Sequence, residues 1–362
     1  MPFNPNYQIA AETVKALLAI EASRVAMDGL PVTPQLIASL RMSARLLSTH
    51  YSTQIEGNRL TLPEVAIVVA GGGGFAGRER DEREVSNYFK AADKAETVAS
   101  LKRAFREQDI QVLHGLVYDG RPKPSPYRDG QNVIRDSADG QIVYMPPEAK
   151  DVPELMKELI LWLNEEAGAK RLPIPVIAAL AHYQFATIHP YYDGNGRTAR
   201  LFTTMILHRC GYGLKGIYSL EEYYAKNLRH YYAALEVGPS HNYYLGRPEA
   251  DVSGFIEYFC VGMAEACAKV RAQAEMSAGP EPLNDVAALR ELRPLQRHAL
   301  GLFSKSKIVT ATELAEYLGI THRRGRELCI KWVAAGFIVI ENSSKKARSY
   351  QLAERYEKSL PL

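Results

Sequence analysis

A loop near the middle of the chain, His189 to Arg200, holds the residues best suited to chemistry. His189 has the side chain there whose ordinary pKa lies nearest neutrality, so it is the natural proton acceptor. Asp193 supplies a hard oxygen ligand, which suits Mg²⁺ bound mainly by a nucleotide. Arg197 and Arg200 lie three residues apart on one helix face and can reach the same anion. Together these residue types predict a phosphate site.

The backbone of the same loop predicts an anion nest. Gly194 and Gly196 flank Asn195 and allow positive φ angles, which turn successive N–H groups toward one point. The helix that follows adds free amides, up to that of Thr198, and the positive end of its dipole. Phosphate oxygens fit such a nest.

Other interpretations of these residues are simpler. Asp-Gly and Asn-Gly are common turn dipeptides, and a histidine beside a proline at a helix end is often a packing residue. A calcium loop is excluded because its twelfth position would be Thr204 rather than a glutamate. The glycine run 71–74 lacks the arrangement of a P-loop and is interpreted as a connection. The combination of features still favours a phosphate site.

The run from His189 to Arg200 resembles the Fic family motif, HxFx(D/E)GNGRxxR, at every position except Tyr191, where the family has phenylalanine. The preceding segment 175–189 and the hairpin ending at residues 144–147 are similar to the family's core helix and target-docking flap. Ser52, Glu56 and Gly57 match its inhibitory motif, (S/T)xxxE(G/N). The resemblance covers about residues 30–270.

The resemblance implies a protein adenylyltransferase, which moves AMP from ATP to a Ser, Thr or Tyr hydroxyl of a target protein and of itself. His189 is then the catalytic base and Asp193 the Mg²⁺ ligand. The implied ATP and phosphate contacts are Gly194, Asn195, Gly196, Arg197, Thr198 and Arg200.

The resemblance further implies that Glu56 inhibits the enzyme by reaching Arg200, the residue expected to meet the γ-phosphate. Tyr231 and Tyr232 stand where family members place part of the adenine pocket, although helix-bundle core is an equally good interpretation of both. The target protein is expected to dock on the 132–144 hairpin.

Hydrophobic periodicity predicts the elements that position these residues. The fold is expected to be mainly α. The family resemblance implies a Fic helical bundle with a β-hairpin flap, and the order of elements near the C-terminus resembles a small winged helix-turn-helix domain. The expected divisions are an N-terminal helical region with the inhibitory motif (1–100), a catalytic core (101–275), a linker (276–291) and a winged-helix-like domain (292–362). No internal repeat is evident.

The C-terminal segment differs from the rest in charge. Residues 293–348 contain eleven Lys or Arg and four Glu, whereas the whole chain of 362 residues carries a net charge of only +3. A basic second helix of a winged helix can enter the major groove of DNA, so DNA binding through 312–348 is one hypothesis. Docking of another protein is the other.

Composition excludes several classes of protein. Hydrophobic residues make up 46% and charged residues 23%, as in a globular protein rather than a disordered or collagenous one. No apolar stretch reaches the roughly 18 residues of a membrane span, no signal peptide is visible, and the four cysteines lack metal-site spacing. The expectation is a cytoplasmic protein without a membrane partner.

Two alternatives to AMP transfer stay open at this point. One is a nucleotide-sensing, DNA-binding regulator without turnover. The other is a Fic enzyme that uses another nucleotide or removes AMP. A homodimer is also left open.

Overall fold

Helices make up most of this computed structural model, which describes residues 3–29, 34–135, 140–238, 240–278, 292–303, 306–342, 344 and 348–357. In chain order the helices are α1 (Ala11–Gly29), α2 (Pro34–Ile55), α3 (Leu62–Val69), α4 (Glu79–Ala99), α5 (Glu107–Asp119), α6 (Val152–Ala169), α7 (Ile174–Ile188), α8 (Asn195–Arg209), α9 (Glu221–Lys226), α10 (Leu228–Leu235), α11 (Ser253–Ala278), α12 (Pro294–Phe303), α13 (Ala311–Tyr317), α14 (His322–Ala334) and α15 (Glu354–Glu357). The mainly α architecture expected from the sequence is confirmed.

Helix α7 lies at the centre of the bundle because it is apolar on nearly every face. Every residue from Pro175 to Phe185 is buried, and the helix packs against α6, α8 and α11. Pro175 lies in the first turn, where its missing N–H removes no helical hydrogen bond. The helix ends at Ile188, so the residue after it, His189, begins the loop to α8.

Helix α2 carries its C-terminal end to the start of α8. It packs against α3, α4 and α9, and it also contacts α8. Gly57 follows it with a φ of +90°, and the N–H of Asn58 returns to the Thr53 carbonyl at 3.1 Å. The Asn58 amide donates to the Asp81 carbonyl at 3.0 Å. The end of α2 is therefore fixed on both sides of Glu56.

A short antiparallel hairpin projects between α5 and α6. Strand β1 (Ile134–Arg135) pairs with β2 (Ile142–Tyr144), and Ile134 lies opposite Tyr144. The Tyr144 hydroxyl donates to the Thr187 carbonyl of α7 at 2.8 Å, which ties the hairpin to the core helix. Residues 136–139, between the two strands, lie outside the described residues.

A C-terminal module comprises the described residues from 292 to 357. Its strands β3 (Ile308–Thr310), β4 (Ile338–Asn342) and β5 (Ser349–Leu352) form an antiparallel sheet in the order β3-β5-β4. Helices α12 to α15 pack beside this sheet around a separate core that includes Trp332 and Phe337. Gly319 turns the chain between α13 and α14 with a φ of +64°.

The C-terminal module lies against the segment that follows Glu56. Leu295 packs on a small core formed by Leu46, Leu60 and Val65, and Arg297 donates a hydrogen bond to the Ser39 hydroxyl of α2. A Cβ on Gly319 would lie 3.5 Å from the Thr61 side chain. Helix α11 runs through Ala278, past the expected start of the linker at 276, and residues 279–291 lie outside the described residues.

No helix in the described ranges is both long enough and apolar enough to cross a membrane.

Candidate active site

The loop from His189 to Gly194 is closed by its own side chains. The Asn195 carboxamide accepts from the Tyr191 N–H at 2.9 Å and donates to the Tyr191 carbonyl at 2.7 Å. Both His189 and Gly194 adopt left-handed backbone, with φ of +50° and +77°. A histidine in this region is uncommon, whereas glycine enters it freely. The loop therefore has one tightly specified shape.

His189 is held as a neutral imidazole. The Ala186 backbone carbonyl favours a hydrogen on the ring nitrogen that faces it, and the other ring nitrogen has no hydrogen-bond partner in the described part of the chain. The residue keeps part of its surface exposed. Even so, removal of water from around the ring lowers its pKa to about 4, and Arg128 adds to the effect while Glu56 and Asp193 oppose it. At neutral pH the ring can accept a proton.

The start of α8 presents unpaired backbone donors. The first N–H groups of a helix, here those of Asn195, Gly196 and Arg197, have no acceptor within it. The Thr198 hydroxyl returns to the Gly194 carbonyl at 2.8 Å, so it satisfies the helix rather than facing the nest. The Asn195 side chain is likewise occupied within the loop. The contribution of these residues to an anion site is therefore their backbone.

Asp193 and Arg197 face each other across the mouth of the nest. Asp193 Oδ1 accepts from the Gly194 N–H at 2.6 Å and lies 3.4 Å from Arg197 Nη2. The Asp193 side chain is half exposed, whereas that of Arg197 is buried and lies 3.8 Å from Glu84. Asp193 is thus accessible to a cation that arrives from solvent with a ligand.

Arg200 is buried and held by the end of α2. Its Nε donates to Ser52 Oγ at 2.7 Å, and its Nη2 donates to the Ser52 carbonyl at 2.9 Å and to Glu56 Oε1 at 2.8 Å. Burial opposes the charge, but the Glu56 carboxylate raises the pKa of the guanidinium above its ordinary value. The sequence-predicted residues Ser52, Glu56 and Arg200 are therefore in direct contact.

The Glu56 carboxylate lies over the first turn of α8. A Cβ built on Gly196 would overlap Glu56 Oε1 and would also lie 3.2 Å from Arg200 Nη1. Gly196 is therefore required for the close approach of the carboxylate. It lies within α8 without the positive φ that the sequence predicted for it, whereas Gly194 has one. Glu56 thus places a carboxylate beside the first turn of α8 while it pairs with Arg200.

The two tyrosines predicted for an adenine pocket differ in environment. Tyr231 is buried. The Thr203 hydroxyl donates to the Ala199 carbonyl, so it accepts from His182 Nδ1, which leaves His182 Nε2 as an acceptor. The Tyr231 hydroxyl donates to that nitrogen at 2.9 Å. Tyr232 on the same helix is 50% exposed and lies within electrostatic range of Glu56 and Arg200. Tyr231 thus belongs to the core, and Tyr232 has a surface that a ligand can contact.

Sequence reasoning missed two residues that hold the loop. His114 of α5 donates from Nε2 to the Asp193 carbonyl at 2.8 Å, and its ring stacks on Tyr191 at 3.5 Å. Arg128 is buried and donates from Nε to the His189 carbonyl at 3.0 Å. Neither residue lies in a spacing pattern with the loop, so only the fold brings them to it.

Comparison with known proteins agrees with this geometry. Residues 104–207 match the Fic/DOC family. Among curated proteins, the protein adenylyltransferase Fic of Drosophila willistoni is 29% identical over 216 residues, which cover 57% of this chain and 42% of that protein. The Drosophila virilis protein of the same name is 29% identical, with 57% and 43% covered. The chain thus spans less than half the length of these relatives.

Solved structures share the fold. A Fic family protein from Desulfovibrio desulfuricans has a TM-score of 0.60 at 24% identity and covers 97% of this chain and 99% of its own. Fic-1 from C. elegans has a TM-score of 0.57 at 23% identity, with 73% of each chain covered.

Proposed function

We propose, from the premise that residues 104–207 form a Fic domain, that this chain is a protein adenylyltransferase. It transfers AMP from ATP to a Ser, Thr or Tyr hydroxyl of a target protein and of itself, and Glu56 inhibits it. The observation that carries the proposal is the Glu56–Arg200 ion pair at 2.8 Å over the free amides of α8, beside a neutral His189. A base, an anion nest and an anionic competitor are thus assembled in one place.

The triphosphate of ATP takes the place of the Glu56 carboxylate. The amides of Asn195, Gly196 and Arg197 cradle the α- and β-phosphates, because those of Gly194 and Thr198 are already bonded within the loop and the helix. The dipole of α8 adds to the attraction. Arg197 adds charge at one side, and Arg200 meets the γ-phosphate. Tyr232 is the better candidate for contact with adenine, because the Tyr231 hydroxyl is already engaged by His182.

Asp193 is suited to hold Mg²⁺ jointly with the phosphates. Its carboxylate is half exposed, and its second oxygen, Oδ2, takes part in no hydrogen bond within the described part of the chain. No three His, Cys, Asp or Glu side chains among the described residues converge as a metal site, which fits a cation held mainly by the nucleotide. When bound, Mg²⁺ neutralises charge on the triphosphate.

The reaction is an in-line displacement at the α-phosphorus. The target oxygen forms a bond to that phosphorus, the bond to the bridging oxygen of the β-phosphate breaks, and pyrophosphate leaves. The free nitrogen of His189 accepts the proton of the attacking hydroxyl. The rest of the rate enhancement comes from positioning and from positive charge around the phosphates.

The hairpin at 132–144 serves as the docking surface for the target. Its base is anchored to α7 through Tyr144, and its second strand continues into Met145, whose N–H donates to the His241 carbonyl at 2.8 Å. A chain docked on the hairpin is thereby presented to His189. Self-modification uses the same site.

Inhibition follows from competition for one guanidinium. While Glu56 holds Arg200 Nη2, a γ-phosphate cannot take the same donor, and the carboxylate repels the triphosphate. ATP then binds with its α-phosphate displaced from the line of attack. A displacement of about 1 Å can lower the rate by about 100-fold.

We also propose that the C-terminal module is a winged helix and that α14 contacts DNA. The order of its elements and its β3-β5-β4 sheet support this, and Arg323 is 90% exposed on α14. Glu327 offsets part of that charge, since it pairs with Arg323 and Arg324. Lys345 and Lys346, expected near the tip between β4 and β5, lie outside the described residues. Duplex affinity that is absent even at low salt would refute the DNA contact.

ATP labelled at either the α- or the γ-phosphate tests the proposed reaction. We expect α-label on protein from Glu56→Gly, none from Glu56→Gly/His189→Ala, and ATP affinity within about twofold between the two. His298→Ala, an exposed histidine of the C-terminal module, is the control. Transfer of γ-label alone would indicate a kinase. Bound ATP without any label would favour a nucleotide-sensing regulator.

A further inference from the structure

Residues 127–132 run alongside residues 189–192, the first half of the active-site loop. Besides a bond from the Arg128 guanidinium, three hydrogen bonds join the two segments in the described structure: Arg128 N to Pro190 O at 3.0 Å, Tyr192 Oη to Asp129 Oδ1 at 2.7 Å, and Asn132 Nδ2 to Tyr191 O at 3.4 Å. The 127–132 segment leads directly into β1 of the hairpin. The approach to the hairpin and the loop that carries the base therefore form one layer.

The Arg128 guanidinium is the centre of this layer. Its Nε donates to the His189 carbonyl at 3.0 Å, and Nη1 donates to the Gly130 carbonyl at 3.1 Å. Its Nη2 donates to the Pro147 carbonyl. Gly130 precedes the hairpin and Pro147 follows it, so one side chain joins both ends of the hairpin to the backbone of the histidine.

Burial of the charged Arg128 guanidinium costs free energy that a side chain needed only for packing would not require. Arg128 is 3% exposed, and its hydrogen-bond acceptors in the described part of the chain are carbonyl oxygens, with no carboxylate among them. Burial lowers the pKa of the guanidinium accordingly. A buried cation without a counter-ion is unfavourable unless its donors are satisfied. The planar five-donor fork of arginine can satisfy three separate carbonyls, which a lysine ammonium cannot do with the same geometry.

We propose that Arg128 is a positioning residue that holds His189 and both ends of the hairpin in one geometry, so that a target docked on the hairpin meets the base in register. This inference rests on the proposed function, because it assigns the hairpin to target docking and His189 to proton transfer. His189 needs such support, since its left-handed backbone is unfavourable for a residue with a Cβ.

In this role Arg128 takes no part in nucleotide binding. The amides of α8 and the guanidinium of Arg200 are held by α8 itself and by Ser52, and Arg128 bonds to neither. Loss of Arg128 should therefore lower the rate of transfer while leaving ATP affinity in place. A general structural defect would lower both.

Hydrogen exchange measures the coupling without relying on activity. In Arg128→Gln we expect amide exchange about tenfold faster in peptides covering 130–147 and 186–193, with peptides of α4 and α11 unchanged. Arg128→Lys should show a smaller change in the same peptides. Arg121→Gln is the matched control, because this arginine lies shortly before the 127–132 segment, is 69% exposed and, among the described residues, forms an ion pair with Asp119 alone. Unchanged exchange in both peptides, or faster exchange throughout the chain in both Arg128 variants, would overturn the proposal.

Kinetics then test the consequence in the Glu56→Gly background. Arg128→Gln should lower kcat for transfer of α-label to a target by about 100-fold, with the Kd for Mg-ATP changed by less than about twofold, and Arg128→Lys should recover part of the loss. An equal loss in ATP affinity would refute the role. If the Glu56→Gly parent itself transfers no α-label, the proposed function fails, whereas the exchange measurement still decides whether Arg128 couples the hairpin to the histidine.

Discussion

In the proposed mechanism the Glu56 carboxylate competes with ATP for Arg200. Glu56→Gly removes this carboxylate, and the contacts of the pair set the size of the expected effect. The Glu56 side chain is 28% exposed and its partner is 1% exposed, so the pair is largely shielded from solvent. A hydrogen bond to a charged group contributes about 1.5–3 kcal/mol. Because the γ-phosphate has to displace this hydrogen bond in the wild type, a variant that lacks the bond should bind ATP productively about 10- to 150-fold better, the factor that corresponds to this free energy.

Arg200 should stay in place in this variant. Two of its three hydrogen bonds go to Ser52, one to the hydroxyl and one to the carbonyl, and neither involves Glu56. The guanidinium is therefore free and correctly oriented for a phosphate. Its charge, however, loses a partner, so we expect the ATP-free protein to lose about 1–3 kcal/mol of stability. Saturating Mg-ATP should restore it, since about 2.7 kcal/mol is gained at a concentration 100 times the Kd.

The assay measures α-label incorporation at saturating Mg-ATP together with thermal unfolding with and without ATP. Gln54→Gly is the control, because this exposed side chain lies at the same end of α2, and the hydrogen bonds of Arg200 in the described structure go to Ser52 and Glu56 instead. Equal incorporation by wild type and Glu56→Gly would refute the reasoning. Faster incorporation by Gln54→Gly as well would attribute the effect to a loosened helix end instead.

Three further predictions follow from the same contacts. Burial lowers the pKa of His114 to about 4, of His182 to about 3 and of His189 to about 4. Below pH 6.5 the unfolded chain therefore binds more protons than the folded one, so the free energy of unfolding should fall as pH drops from about 6.5 to 4. Equal free energies of unfolding at pH 7 and pH 5 in urea titrations would contradict this. Gly196→Ala should destabilise the ATP-free protein by overlap with Glu56 Oε1, and adding Glu56→Gly should restore the melting temperature; no rescue would mean that the methyl group meets something else. Tyr191 buries a hydroxyl that has no partner in the described structure, so Tyr191→Phe should raise the free energy of unfolding by about 1 kcal/mol, whereas Tyr127→Phe, which removes a bond to Glu107, should lower it.

The parts of the site that are local in sequence could be predicted. The α7–loop–α8 arrangement follows from an apolar helix, a turn with two glycines and a second helix, all within 36 residues (174–209). Periodicity and turn chemistry decide such features, because they depend on neighbours along the chain. The contact of Glu56 with Arg200 was implied by a family motif rather than by spacing, since 144 residues separate the two.

The remaining features depend on packing that no local pattern shows. Arg128 and His114 reach the loop from separate segments, and an isolated arginine or histidine carries no sign of its distant partner. Asn195 and the amide of Thr198 were expected to contact phosphate. In the structure the Asn195 carboxamide bonds to Tyr191, and the Thr198 N–H and hydroxyl both bond to the Gly194 carbonyl. The sequence shows that residue 191 carries a hydroxyl group. It does not show that this hydroxyl has no hydrogen-bond partner among the described residues.

The left-handed backbone of His189 implies a conflict between stability and activity at this position. A residue with a Cβ in this conformation loses about 1–2 kcal/mol, and an imidazole kept neutral by its surroundings loses more as the pH falls. Glycine would remove both costs, so an inactive His189→Gly protein should be more stable than the wild type. If His189 is the base, as proposed, selection for stability alone would therefore eliminate it, and the histidine can persist only where its chemistry is itself selected.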